Sequence, residues 1–305
     1  MMKRKSIGML KLLRGRKIST KLLFWFLCIS ILPLIILSYF ASSSLKNALE
    51  VNELKNFYLI AESKNKQIVN YFQEQEKDLD VFSHSPIIIE ALQAYESAIK
   101  QFGPESEQYR DVEKRFNEYF IIYARKLGYY DLFLINREGD IVFTVKREDD
   151  FNINLGSGNY KNTELALALK QAIEKEKITL SKYKYYPPSD KPASFLVAPV
   201  YRNNLLKGAL AAQLKIDDIF ELMRDYSKLG ETGEVLIGQH MGDEAVFINP
   251  LRFDHDAAFN RKVPFGSDLA LPIQDAVQNK EGSGISIDYR GIPIIAEWRY
   301  IHCPN

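Results

Sequence analysis

Twenty consecutive uncharged residues, Leu22–Ala41, come after a head of 21 residues that carries eight lysines and arginines and no acidic side chain. As a helix rising about 1.5 Å per residue, this stretch reaches roughly 30 Å, the thickness of a bilayer's hydrocarbon core. Cationic flanks stay cytoplasmic, so Lys3, Arg4, Lys5, Lys11, Arg14, Arg16, Lys17 and Lys21 predict a single-pass anchor with everything after Ala41 on the outer side. A cleaved secretory signal is the competing reading, because Ala41, Ser42, Ser43 and Ser44 are small. The apolar region of such a signal is about 7–15 residues long, shorter than this one. Pro33 does not exclude a span, since neighbouring groups in membrane helices satisfy a freed carbonyl.

The chain beyond the span has the material for a core: 46% of the whole sequence is hydrophobic and 12% aromatic, with 26% charged, which is not the composition of a disordered chain. The net charge of +1 hides an asymmetry. Without the head, acidic residues outnumber basic ones, so nucleic acid is not an expected partner and the head is expected to face lipid. Cys28 lies in the span and Cys303 near the C-terminal end, so no disulfide is expected to staple the exported part and packing must hold it.

From Ser42 to Ser83 the pattern is helical, with Leu54, Tyr58, Ala61, Ile68, Phe72, Leu79 and Phe82 spaced by threes and fours. This stripe either packs on its own domain or forms the seam of a parallel homodimer, with Asn65 and Gln75 setting the register. Gly103-Pro104 interrupts the helix, and Tyr109, Val112, Phe116, Tyr119, Tyr123 and Leu127 form a second apolar face expected to close a helical hairpin. After Gly128 the period becomes two: strands over 130–136 and 141–146, a helix over 162–176 capped by Thr163, then strands near 178–186, 194–202 and 206–216. Asp217 opens a short connecting helix.

The text then repeats. Leu134-Ile135, Gly139-Asp140 and Val142-Phe143 recur in order as Leu236-Ile237, Gly242-Asp243 and Val246-Phe247, and Leu165-Ala166-Leu167 with Ala172-Ile173 recurs as Leu269-Ala270-Leu271 with Ala276-Val277. Agreement in order and separation predicts a duplicated module of hairpin, helix and returning strands. The expected fold is therefore α+β: a transmembrane helix, a helical stalk and two tandem antiparallel-sheet modules, the second lacking its last strand. The divisions are 1–21 for the head, 22–41 for the span, 42–128 for stalk and hairpin, 129–216 for the membrane-distal module, 217–228 for the connecting helix and 229–305 for the membrane-proximal module.

The stretches Phe133–Val142, Tyr186-Pro187-Pro188-Ser189, Pro192–Phe195, Ala198-Pro199-Val200, Gly208–Leu214, Leu229–Val235 and Asp288–Pro293, taken in order, resemble the double Cache sensor domain of bacterial transmembrane receptors. The resemblance implies PAS-like modules in the periplasm, anchored in the inner membrane, of the kind found on histidine kinases, diguanylate cyclases and chemoreceptors. It implies a small-molecule ligand in the distal module, a signal passed through the proximal module and the helix, no cofactor, and no enzymatic activity in this chain. Two departures stand out. The proximal module lacks a final strand, and no second span or output domain comes after Asn305, which suggests a truncated frame or a receptor fragment. The Arg-Trp-Tyr cluster of one amino-acid-binding branch is absent, so the ligand class stays open.

Strand parity sketches a pocket. On the last distal strand, Leu210, Leu214 and Ile216 share one face and Ala209, Ala211 and Gln213 the other. Small residues beside an amide leave room for a ligand and a hydrogen bond to it. Tyr183, Tyr185, Phe195 and Tyr201 would supply aromatic walls, and Lys146 and Asp149 would meet charged ligand groups; the alternative is that these aromatics only fill the core. Met241–Ala245 reads as a hairpin turn and not as a cyclase loop. His240, Asp254, His255 and Asp256 read as a solvated loop, so no metal is expected. No nucleophile elbow or nucleotide loop occurs. An exported, membrane-anchored enzyme or a protein-docking scaffold is the alternative to a sensor.

Overall fold

A computed structural model describes residues 18–303, so Lys3 to Lys17 of the basic head lie outside the described residues. The chain divides into two compact units, Met1–Asn56 and Phe57–Asn305. Helix α1 (Ile18–Ser83) is continuous through Pro33 and through Ser42, where the sequence pattern changes. In the first unit it is the one described helix long and apolar enough to cross a membrane. Trp25, Phe26, Ile29, Leu34 and Phe40 are exposed there, an arrangement that water disfavours and lipid accepts.

In the second unit, Pro86 at the first helical turn starts α2 (Pro86–Phe102), which ends at Gly103 with φ 88°. Ser106 then caps α3 (Glu107–Leu127), its Oγ accepting the Tyr109 amide at 3.1 Å, and Gly128 closes that helix in the left-handed region. Sequence reading missed α2 as a separate element. Ile68, Phe72, Leu79 and Phe82 of α1 pack with both helices in one core, so this half of the stripe serves the protomer's own interior and is not free for a partner helix.

The distal sheet holds β1 (Asp131–Asn136), β2 (Ile141–Thr144), β3 (Thr179–Leu180), β5 (Lys191–Arg202) and β6 (Leu205–Leu214) in the order β2-β1-β6-β5-β3, with β4 (Lys184–Tyr186) paired to β5. Alternation sorts its side chains. Leu132, Leu134, Ala198, Leu210, Ala212 and Leu214 face the helical core, while Phe133, Ile135, Phe195, Val197, Ala209 and Ala211 face α4 (Glu164–Lys175), through Leu165 and Leu169. Thr163 caps α4, accepting the Ala166 amide at 3.3 Å. The expected strand over 178–186 is two short strands. Between them Ser181 pairs with Phe195, its Oγ accepting the Phe195 amide at 2.8 Å, and the chain then leaves the sheet. Ile216 does not extend β6; it begins α5 (Ile216–Arg224).

The proximal module contains β7 (Gly238–Met241), β8 (Glu244–Phe247), β9 (Lys262–Pro264), α6 (Leu271–Val277), β10 (Gly282–Ile287) and β11 (Pro293–Trp298). Its strands form two separate sheets, β7-β8-β9 and β10-β11. Phe247, Leu251, Val263, Ile273 and Tyr289 make its core. Of the residues weighed for a metal, Asp254 pairs with Arg261 at 2.6 Å and the His240 ring lies 4.9 Å from that of Phe265.

Candidate ligand site

The distal sheet face toward α4 carries a cross-strand row with two polar members. Asp131 on β1 stands opposite Gln213 on β6, and Gln213 opposite Phe195 on β5; all three are buried. Asp131 is committed to backbone. Its Oδ1 accepts the amides of Leu132 (2.7 Å), Val145 (2.9 Å) and Lys146 (3.1 Å), and its Oδ2 accepts the Thr144 hydroxyl. Burial nevertheless pushes this carboxyl up to about 7 against the pull of those hydrogen bonds, and the Asp150 charge adds to the rise.

Asp150 enters from the loop after β2. Its Oδ2 accepts the Tyr186 hydroxyl at 2.6 Å, while its buried Oδ1 meets no partner. Burial pushes it up to about 6, opposed by the Tyr186 hydrogen bond and reinforced by Glu148 and Asp149. The Tyr186 ring stands edge-on to Phe195 at 4.8 Å. Gln213 Nε2 donates to Ser189 Oγ at 3.1 Å, and its Oε1 is unpartnered. The short turn Pro187–Ser189 thus ties both orphaned acceptors to one loop. Leaving a buried acceptor unmade costs about 1–3 kcal/mol, so the pair calls for donors. At the rim, Tyr130 donates to Glu148 Oε1 at 2.7 Å, and the Lys146 and Lys191 ammonium groups lie 5.0 and 4.3 Å from the centre of its ring. Burial, then Glu148, pushes the Tyr130 phenol up to about 12.

The residues expected from sequence separate into three places. Gln213 and Phe195 lie in this row. Lys146 and Asp149 are exposed beside it, Lys146 through its contact with Tyr130. The other three do not join it. Tyr185 is 58% exposed, with its hydroxyl on Asp190 at 2.6 Å, and Tyr201 pairs with Leu206 toward the far end of β5. Tyr183 is buried in the helical core and lines a cleft of the proximal module. Tyr183 and Tyr185 therefore do not share a wall: the break between β3 and β4 shifts the parity, and Tyr186 is the inward ring. Sequence reasoning missed Asp131, Asp150, Tyr186 and Ser189. A signal for Asp131 existed, a charged residue opening the otherwise apolar run Leu132-Phe133-Leu134-Ile135.

The sequence matches no protein-family model and no curated protein. Among solved structures it is similar to the extracellular domain of the candidate histidine kinase rpHK1S-Z16, with a TM-score of 0.54 at 11% identity over 82% of this chain and 90% of that one. An extracellular ligand binding receptor from Desulfohalobium retbaense matches at a TM-score of 0.44 and 12% identity over 75% of this chain, which spans only 35% of that receptor's length. The sensor domain of the V. cholerae histidine kinase DctB matches at 0.40 and 11% identity, over 67% of this chain and 87% of that domain. The rpHK1S-Z16 likeness, over 82% of this chain, shows the fold: a long helix followed by two antiparallel-sheet modules.

Proposed function

We propose that this chain is the extracytoplasmic sensor module of a bacterial membrane receptor, held in the inner membrane by Leu22–Ala41, and that it binds a small molecule in the distal module. The observation that carries the reading is the pair of buried, unpartnered acceptors Asp150 Oδ1 and Gln213 Oε1 on the α4 face. They favour a ligand that brings N–H or O–H donors, an ammonium or primary amide above all, with Tyr186 and Phe195 as its walls. The fold shared with an extracellular domain supports the address. Ligand binding shifts the module only by its affinity difference between two states, and α1, which supplies Phe72, Leu79 and Phe82 to the core behind the same sheet, is the element that would carry the change. A homodimer through α1 belongs to this reading, with exposed Leu45 and Leu49 open to it.

The test is a thermal-shift and calorimetric screen of the full chain in lipid nanodiscs against primary amines, amino acids, amides and dicarboxylates. Stabilisation by an amine or amide, lost at least tenfold in affinity in Asp150→Asn or Gln213→Leu, supports the reading; chemical turnover of any of them overturns it in favour of an exported enzyme. Because ionised Asp150 is the better partner for an ammonium, affinity rises as pH passes upward through about 6.

A further inference from the structure

The hairpin made by β4 and the start of β5 projects past the rest of the distal sheet. Along β5, Lys191, Pro192 and Ala193 pair only with β4, and pairing with β6 begins at Ser194. The tip is stiff. Pro187, Pro188 and Pro192 each fix a backbone dihedral, the Asp190 amide closes on the Pro187 carbonyl at 3.1 Å, and the Tyr185 hydroxyl donates to Asp190 at 2.6 Å. The roots are softer. Between the end of β3 at Leu180 and the start of β4 at Lys184 the chain belongs to no strand, and the opposite root is Ser194, whose Oγ donates to the Ser181 carbonyl at 2.9 Å.

Three side-chain ties fold this hairpin across the sheet. Tyr186 donates to Asp150 Oδ2 at 2.6 Å, Ser189 Oγ accepts from Gln213 Nε2 at 3.1 Å, and the Lys191 ammonium lies 4.3 Å from the centre of the Tyr130 ring. Two of the three end on the residues that carry the orphaned acceptors: Asp150 gives Oδ2 to the hairpin and leaves Oδ1, and Gln213 gives Nε2 and leaves Oε1. Both free atoms are buried, and so are Tyr186 and Ser189. A ligand that reaches those atoms from solvent must displace part of their cover. A two-stranded hairpin on soft roots opens at lower cost than the continuous sheet behind it.

We infer that residues 184–193 are the gate of the distal site, swinging as one piece about Ser181–Tyr183 and Ser194 to admit a ligand and latching through Tyr186 and Ser189 on closure. The gate rests on the reading of the distal module as the ligand site, but its motion needs no ligand. A donor group bridging Asp150 Oδ1 and Gln213 Oε1 adds contacts to the latched form that the open form lacks, so binding favours closure.

Amide hydrogen exchange of the full chain in lipid nanodiscs, with no ligand added, tests the motion. The amides of Lys184, Tyr185, Tyr186, Asp190, Lys191 and Ala193 are expected to exchange at one common rate, faster than those of Leu196, Val197 and Ala198 on the same strand. Ser189→Ala and Tyr186→Phe each remove one latch, so each speeds the hairpin amides about three- to tenfold, the net effect of one hydrogen bond, and leaves Leu196–Ala198 and β6 unchanged. Hairpin amides that exchange in step with Leu196–Ala198, or latch variants that speed the whole sheet equally, would overturn the gate. Access is read with Phe195→Cys, which places a thiol beside the Tyr186 ring. Its modification by methanethiosulfonate ethylammonium quickens by the same factor when Ser189→Ala is added, while modification of native Cys303 stays constant; an unchanged rate at position 195 would show that the site opens elsewhere and overturn the gate. Amine binding in the screen together with an immobile hairpin would sink the gate and leave the ligand site standing.

Discussion

The two modules repeat one plan and differ in closure. The distal sheet is continuous across five strands, with a helical core on one face and α4 on the other, and every strand but the outermost has neighbours on both sides. The proximal module has the hairpin, the helix and the returning pair, yet its strands stay in two sheets. Its substitutes for a ladder are side chains: Asn249 accepts the Ile237 amide at 2.7 Å and donates to the Val235 carbonyl at 2.9 Å, while Tyr289 donates to Glu234 at 2.8 Å. Among the described residues, side-chain hydrogen bonds thus hold the proximal layer where a backbone ladder holds the distal one, and a cleft runs beside β7 and β11.

The sharpest way to break this comparison is at glycine. A Cβ on Gly208, at φ +155°, would lie 2.1 Å from the Ile135 carbonyl oxygen, a backbone atom of the paired strand. For a Cβ on Gly238 the three nearest atoms are side-chain carbons of Ile273 and Val277, at 2.6–2.8 Å. Gly208→Ala is therefore expected to cost more than about 3 kcal/mol and to split β6 from β1, whereas Gly238→Ala costs about 1 kcal/mol as rotamers yield. Urea denaturation of both variants decides it; equal costs would mean that the distal ladder is no stiffer than the proximal walls.

The next effect is a dependence on pH that centres on two buried carboxyls of the distal module. Asp131 and Asp150 are both raised from an ordinary 3.8, to about 7 and about 6. A raised carboxyl binds its proton more tightly in the folded state, so this contribution is complete below about pH 4 and is lost as pH climbs through 6 to 7. At about 1.4 kcal/mol per unit, Asp131 sets an upper bound on the order of 4 kcal/mol. Asp131→Asn keeps an acceptor for the three amides and removes the ionisation, so the variant gains on the wild type by roughly 2 kcal/mol between pH 4.5 and 8 in paired denaturation curves. A constant difference across that range would show that Asp131 stays ionised in the fold.

Legibility in the sequence tracks the physics of each signal. Periodicity placed α1, α3, α4 and the distal strands, because burial on one face writes itself into spacing; it also put Gln213 with Ala209 and Ala211 on one face, the face that turns toward α4. Parity failed where a strand stopped being one strand. The two residues after Ser181 leave the ladder, so the count that made Tyr183 and Tyr185 neighbours of the site turned one ring into the proximal cleft and the other into solvent, and Tyr186 took the inward place. Asp150 was missed in favour of Asp149 for the same one-residue reason, since a loop carries no period to count. Asp131 needs no ligand to explain it: its carboxylate ends the β1–β2 pairing by holding the amides that lead out of β2, a role invisible without the partner strand.

The smallest expected effect tests whether the open module is mechanically tied to the closed one. Gln239 on β7 uses its side chain as a strand would use its backbone: Oε1 accepts the Tyr183 amide at 2.9 Å and Nε2 donates to the Tyr183 carbonyl at 2.9 Å. Tyr183 sits just before β4, and β4 ends at Tyr186, whose hydroxyl holds Asp150. A ligand that draws Asp150 and Tyr186 together therefore pulls on the one segment that Gln239 clasps. Two hydrogen bonds at the net value of about 0.5–1.5 kcal/mol each make Gln239→Ala a loss of roughly 1–3 kcal/mol at most, less where water replaces them. Its diagnostic is not the stability change. Exchange of the β7 and β8 amides, compared with and without a distal ligand, is expected to respond in the wild type and to lose that response in Gln239→Ala, while ligand affinity changes by less than about threefold; a response of equal size in both proteins would move the coupling to the helices.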